Sequence, residues 1–130
     1  MRLYSVAVAA LAIGSSPKWL DNVLSHFTVP DVATKKRGIA RRIPHRALLQ
    51  LALTWEVHVE LGMGVRDALA LADELLAAGD ASVSRGGHLR VTLNRATLER
   101  RLSARLLDAL ESAPAPRRGR PARIAPADSA

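Results

Sequence analysis

The side chains in this sequence best suited to chemistry are cations, and they are clustered. Lys35, Lys36, Arg37, Arg41, Arg42 and Arg46 share residues 28–46 with a single acid, Asp31. A second cluster, Arg117, Arg118 and Arg120 around Gly119, lies near the C-terminal end. Grouped cations of this kind neutralise phosphates and release the counterions condensed on a duplex. Groups for catalysis are not assembled in the same way. His26, His45, His58 and His88 are scattered, and there is no cysteine. Glu56, His58 and Glu60 alternate, and on a helix alternate residues point apart. Gly62 and Gly64 lack both a preceding strand and a third glycine, so they read as a helix-helix turn and not as a nucleotide loop. The expectation is a binding protein, not an enzyme, with no metal and no cofactor.

Composition points the same way. The 130 residues are 48% apolar, enough for one core, and carry a net charge of +7. Such a balance favours a polyanionic partner, with an anionic membrane surface as second choice. Aromatics are few (Tyr4, Trp19, Phe27 and Trp55), while Ala and Leu abound, and both enter helices at little entropic cost. The apolar run Val6 to Ile13 behind Arg2 has some features of a secretory signal. It is short and Ala-rich, however, and reads better as a helix. No run approaches the roughly 18 apolar residues of a membrane span. The expected location is cytoplasmic, on the nucleoid.

The elements that must position these cations follow from periodicity and caps. Residues 3–27 predict two short helices broken at Gly14-Ser15-Ser16. Ser5 caps the first, and Ser16, with Pro17 at the first helical position, caps the second. Leu20, Val23, Leu24 and Phe27 form the inner face of that second helix, which turns Lys18, Asp21, Asn22 and Ser25 outward. Residues 28–43 predict a small basic β-hairpin. His45 to Leu61 predicts a helix apolar on two faces, one of them Leu48, Leu51, Ala52, Trp55 and Val59. Another helix is expected from Val65 to Ala77, then a strand from His88 to Leu93. A last helix, about Arg95 to Glu111, carries a stripe of Leu98, Leu102 and Leu106. Beyond Ser112 the Pro, Ala and Arg content cannot build a core and predicts a disordered basic tail. The fold class is mainly α: a winged helix-turn-helix domain over 3–77, a strand-helix extension over 78–112, and the tail over 113–130.

Two short helices on a glycine turn can present the second to the DNA major groove. Tyr4-Ser5-Val6, Ala9-Ala10-Leu11, Ile13-Gly14-Ser15-Ser16 and Leu20 resemble the opening of the MerR superfamily of winged helix-turn-helix regulators. The later order of basic hairpin, helix, glycine turn and helix also follows that pattern. The resemblance implies a homodimer on a two-fold-symmetric site of double-stranded DNA. It places Ser16, Lys18, Trp19 and Asn22 at the recognition helix and Lys35, Lys36, Arg37, Arg41 and Arg42 on the wing. Trp19 can stack on a base or serve as a half-buried anchor. Two departures stand out: Asp21 occupies a face that meets phosphate, and the family's long C-terminal dimerisation helix is absent. In the tail, Arg118, Gly119 and Arg120 resemble an AT-hook, whose arginines enter the A·T minor groove.

These features predict a sequence-specific transcriptional regulator. The alternative is an antitoxin-like module with autoregulatory DNA binding, in which residues 88–111 would engage a protein partner. The leucine stripe is too apolar for water, and dimerisation through it is expected.

Overall fold

A computed structural model describes residues 2–32 and 40–112, which form five helices and two antiparallel strand pairs. The order is β1 (Leu3–Tyr4), α1 (Val6–Ile13), α2 (Pro17–His26), β2 (Ile43–Pro44), α3 (His45–Leu61), α4 (Val65–Ala77), β3 (Ser82–Arg85), β4 (Leu89–Thr92) and α5 (Arg95–Ser112). Lys35, Lys36, Arg37 and the tail with Arg118, Gly119 and Arg120 lie outside the described residues.

Local chemistry sets the two-helix unit. The Ser5 hydroxyl accepts from the Val8 amide at 3.2 Å, and the Ser16 hydroxyl accepts from the Trp19 amide at 3.0 Å. Each satisfies an amide that the first helical turn leaves without a partner. Gly14 ends α1 in the left-handed region at φ +93° and donates to the Ala10 carbonyl at 2.9 Å. A Cβ there would meet Trp55 Nε1 at 3.9 Å, an ordinary contact, so a substitution is opposed by backbone strain alone. Gly14→Ala is expected to destabilise by about 1–2 kcal/mol. Gly62→Ala, at φ +69° in open space, should match it in thermal unfolding. A much larger loss at Gly14 would implicate crowding on Trp55.

The core explains why α1 is so rich in alanine. Ala9, Ala10 and Ala12 are fully buried because α2, α3 and α5 all pack on α1. Small residues let these axes approach closely. Behind them, α3 packs on α4, and the buried Gln50 amide, itself held from within α3, reaches across to it. Gln50 donates to the Leu69 carbonyl at 3.4 Å and accepts from Arg46 at 3.1 Å, while the Thr54 hydroxyl donates to the Gln50 carbonyl at 2.7 Å. Leu98, Leu102, Leu106 and Ala109 are buried in the same core, so residues 78–112 share it with the rest. The leucine stripe is satisfied within one chain, which removes the argument for dimerisation through it.

Three other expectations change. Val59 was placed in the core by its spacing but is 52% exposed, because α3 runs past the elements that cover it. The basic hairpin over 28–43 is not seen in its described part. Ile43 and Pro44 pair instead with Tyr4 and Leu3, at the far end of the chain. Val29 to Val32 form a turn closed by a 3.1 Å bond from the Val32 amide to the Val29 carbonyl. Ile43 is fully buried and Tyr4 nearly so, and burial of that pair holds the segment entering α3 against the start of the chain.

The third change is a hairpin where one strand was expected. Ser82–Arg85 pairs with Leu89–Thr92 across Gly86, Gly87 and His88. Ser-Val-Ser-Arg has one apolar residue and no alternation to flag it. Val83 pairs with Val91 on the side that meets the body. Arg85 holds the hairpin to α4 with a two-pronged bond to Glu74 at 2.8 and 3.2 Å. That bond keeps the Glu74 carboxyl below its ordinary range and raises the Arg85 guanidinium above its own.

Candidate nucleic-acid interface

The outward face of α2 is the surface that the preceding turn and cap place most definitely. With Leu20, Val23 and Leu24 buried, Lys18, Asn22 and Ser25 are exposed on the opposite side. Asn22 presents a side chain that can pair bidentately with adenine, and Lys18 an ammonium for phosphate. The Ser16 hydroxyl is spent as an acceptor on its cap, though its own proton remains free to donate to a phosphate. His26, in the last turn of α2, bonds the Asn22 carbonyl through Nδ1 at 2.8 Å.

Trp19 lies against the body, not on the outward face. Its ring meets Trp55 edge-on with centroids 4.7 Å apart and stacks near His58 at 6.2 Å. His58 is itself held by a 2.7 Å bond from Nδ1 to the Met63 carbonyl. Trp19 therefore anchors α2 to α3, the second of its two expected roles. Edge-to-face packing of this kind is worth about 0.5–1.5 kcal/mol beyond the area buried.

Arg41 requires the largest correction. Expected as a phosphate contact on the wing, it has a side chain only 5% exposed. Its Nη1 donates to Asp21 Oδ1 at 2.7 Å and to the Asp21 carbonyl at 3.4 Å, and Nη2 donates to the Ser25 hydroxyl at 3.4 Å. Its Nε has no partner among the described residues. A guanidinium buried this far needs a fixed anionic partner, and Asp21 supplies it. The same bond removes the objection that Asp21 raised, since its charge is neutralised in place. Arg41 thus clasps the segment behind the Lys35–Lys36–Arg37 cluster to the face of α2, and Arg42 beside it is exposed.

No family model, characterised protein or solved structure matches the chain. The interface accordingly rests on its own geometry.

One cation escaped the sequence reading. Arg66 is exposed in the first turn of α4, and its guanidinium lies 5.4 Å from the Phe27 ring centroid, at the C-terminal end of α2. That contact holds the charge at the C-terminal end of α2. A signal existed, because a cation in a first turn opposes the helix dipole and Gly64 offers no side-chain cap. Among the described residues, no cluster of three His, Asp or Glu could hold a metal, and no helix is long and apolar enough to cross a membrane.

Proposed function

We propose that this chain binds duplex DNA with the outward face of α2 in the major groove, as a transcriptional regulator of the winged helix-turn-helix kind. The reading is supported above all by the Arg41–Asp21 clasp. It joins the cationic segment to a capped, glycine-led helix and cancels the one acid on that helix's outward face. The glycine turn between α1 and α2, and the later order of helix, glycine turn and helix, are in keeping with the MerR resemblance, and the wing at 28–43 is part of the proposal. Lys18, Arg42 and the cluster at 35–37 supply about five phosphate contacts. Pairing of two chains on a two-fold site belongs to the same reading, as does a place on the nucleoid.

Fluorescence anisotropy on a short random duplex tests it. Affinity should fall with salt at a log–log slope of about −4.5, the value for about five neutralised phosphates. Lys18→Ala should flatten that slope by about one. Asn22→Ala should leave the slope unchanged and relax the base preference found by selection from random DNA. Binding that ignores salt, or no binding to any duplex at low salt, would defeat the proposal. The antitoxin-like alternative has less support, because the stripe in 88–111 that would meet a partner is already buried against α1.

A further inference from the structure

Lys18, Asn22 and His26 follow one another at intervals of four residues on α2, so they stand in one row along the helix. All three are exposed, outside the buried stripe of Leu20, Val23 and Leu24. At a rise of 1.5 Å per residue the row is about 12 Å long. The major groove of B-form DNA is about 12 Å wide. A helix seated there with Asn22 over the base edges has Lys18 and His26 at the two ends of the row, where the walls are phosphate.

The ring of His26 is held in a defined state. Its Nδ1 lies 2.8 Å from the Asn22 carbonyl oxygen. A carbonyl oxygen only accepts, so Nδ1 carries the hydrogen and donates it, and the neutral ring has its lone pair on Nε2. In that state Nε2 can form no bond to a phosphate oxygen, which also only accepts. A proton on Nε2 turns it into a charged donor without disturbing the Asn22 contact. The charged and titratable groups around the helix are few. Lys18 and Asp21 lie on α2 itself, Arg41 and Arg42 on the segment before β2, and Asp31 in the turn that follows α2. His58 of α3 lies against Trp19 and Arg66 of α4 over Phe27, while α1 has no titratable side chain. Asp21 is committed to Arg41 at 2.7 Å.

We infer that His26 is a phosphate contact that α2 makes by taking up a proton. As the duplex docks, Nε2 binds one proton from solution and donates it to a phosphate oxygen in a charge-assisted hydrogen bond. Histidine is the side chain that ordinarily changes charge between pH 5 and 8, so the contact is present at the acidic end of that range and lost at the other. The inference rests on the DNA-binding reading of α2. It adds a dependence on pH that lysine and arginine contacts do not supply, because those side chains are ordinarily charged throughout. The C-terminal end of a helix also favours a charged histidine through the helix dipole. That gain exists in the free protein as well, so it changes melting and leaves the number of neutralised phosphates alone.

Anisotropy titrations of the full chain on one duplex, over a range of salt at about pH 5.5 and about pH 8, test the contact. The log–log salt slope of the wild type should be steeper by about 0.9 at the lower pH, the increment for one more neutralised phosphate. His26→Gln, whose amide can still meet the Asn22 carbonyl but never carries a charge, should give one slope at both pH values. His26→Lys, charged at both, should give the steeper slope at both. Thermal melts of each variant without DNA report the fold independently. A wild-type slope that ignores pH, or a pH effect that survives in His26→Gln, overturns the role of His26, and duplex binding that still falls with salt leaves the DNA reading standing. No duplex binding at either pH removes that reading and this contact with it.

Discussion

Leu102→Ala is expected to remove about 2–5 kcal/mol of folding stability, with no change in the mass of the particle in solution. Leu102 is 3% exposed and belongs to the α5 stripe that packs on α1. Truncating a buried leucine loses its transfer free energy and leaves a cavity that a helix-helix contact closes only in part. Domains of this size are stable by about 5–15 kcal/mol, so one substitution here forfeits a large share of the total. Urea unfolding followed by circular dichroism gives the loss directly. The same experiment at several protein concentrations separates the two roles of the stripe. An intramolecular contact melts identically at every concentration, whereas an interface between copies would gain stability with concentration by mass action. A concentration-dependent midpoint in the wild type, abolished in Leu102→Ala, would return the stripe to a dimer interface.

That stripe also shows what the sequence can and cannot convey. Its period and apolar content were legible, and so were the ends of α1, α3 and α4, because caps, prolines and left-handed glycines act within a few residues. Which surface covers a stripe is decided by elements far away, here the alanine-rich α1. The same limit explains Ile43, whose partner, Tyr4, lies 39 positions earlier in the chain. Local pattern favoured a hairpin within 28–43, since nothing in that stretch points to the N-terminal end. β3 was missed for another reason: its only apolar residue is Val83, and its place depends on pairing with β4 and on Val83 and Val91 meeting the body.

The candidate interface divides along the same line. Lys18 and Asn22 were legible because the inner face of α2 is unambiguous, and outwardness follows from it. Arg41 was not, because a basic cluster reads as a uniformly solvated patch, and only the fold shows that one member of it is buried. Charge counting alone assigns Arg41 to phosphate and Asp21 to repulsion. Geometry spends each of them on the other.

Asp21→Ala is therefore expected to weaken duplex binding, although it removes an acid from a surface proposed to meet a polyanion. Coulomb's law applied to an isolated Asp21 predicts the reverse, a tighter complex, with the gain largest at low salt. The difference lies in Arg41. Its side chain is 5% exposed and its Nη1 has Asp21 Oδ1 at 2.7 Å, so deleting the carboxylate leaves a buried cation with only the Asp21 carbonyl and the Ser25 hydroxyl among the described residues, each at 3.4 Å. Removing one partner of a buried pair costs several kcal/mol, but the Asp21 side chain is 48% exposed and water can replace part of it. About 1–3 kcal/mol of stability is the expected loss, together with the tether between α2 and the segment that follows 35–37. Replacing both groups, Asp21→Ala with Arg41→Met, should recover most of the stability, since an apolar side chain can occupy the site without an unpaired charge. It should not recover duplex affinity, because the clasp is still missing. With Arg41→Met alone as the third variant, thermal melts and anisotropy form a double-mutant cycle that reads both quantities. If Asp21→Ala melts like the wild type and binds DNA more tightly, the pair is a surface contact and the acid on α2 is a simple repulsive charge.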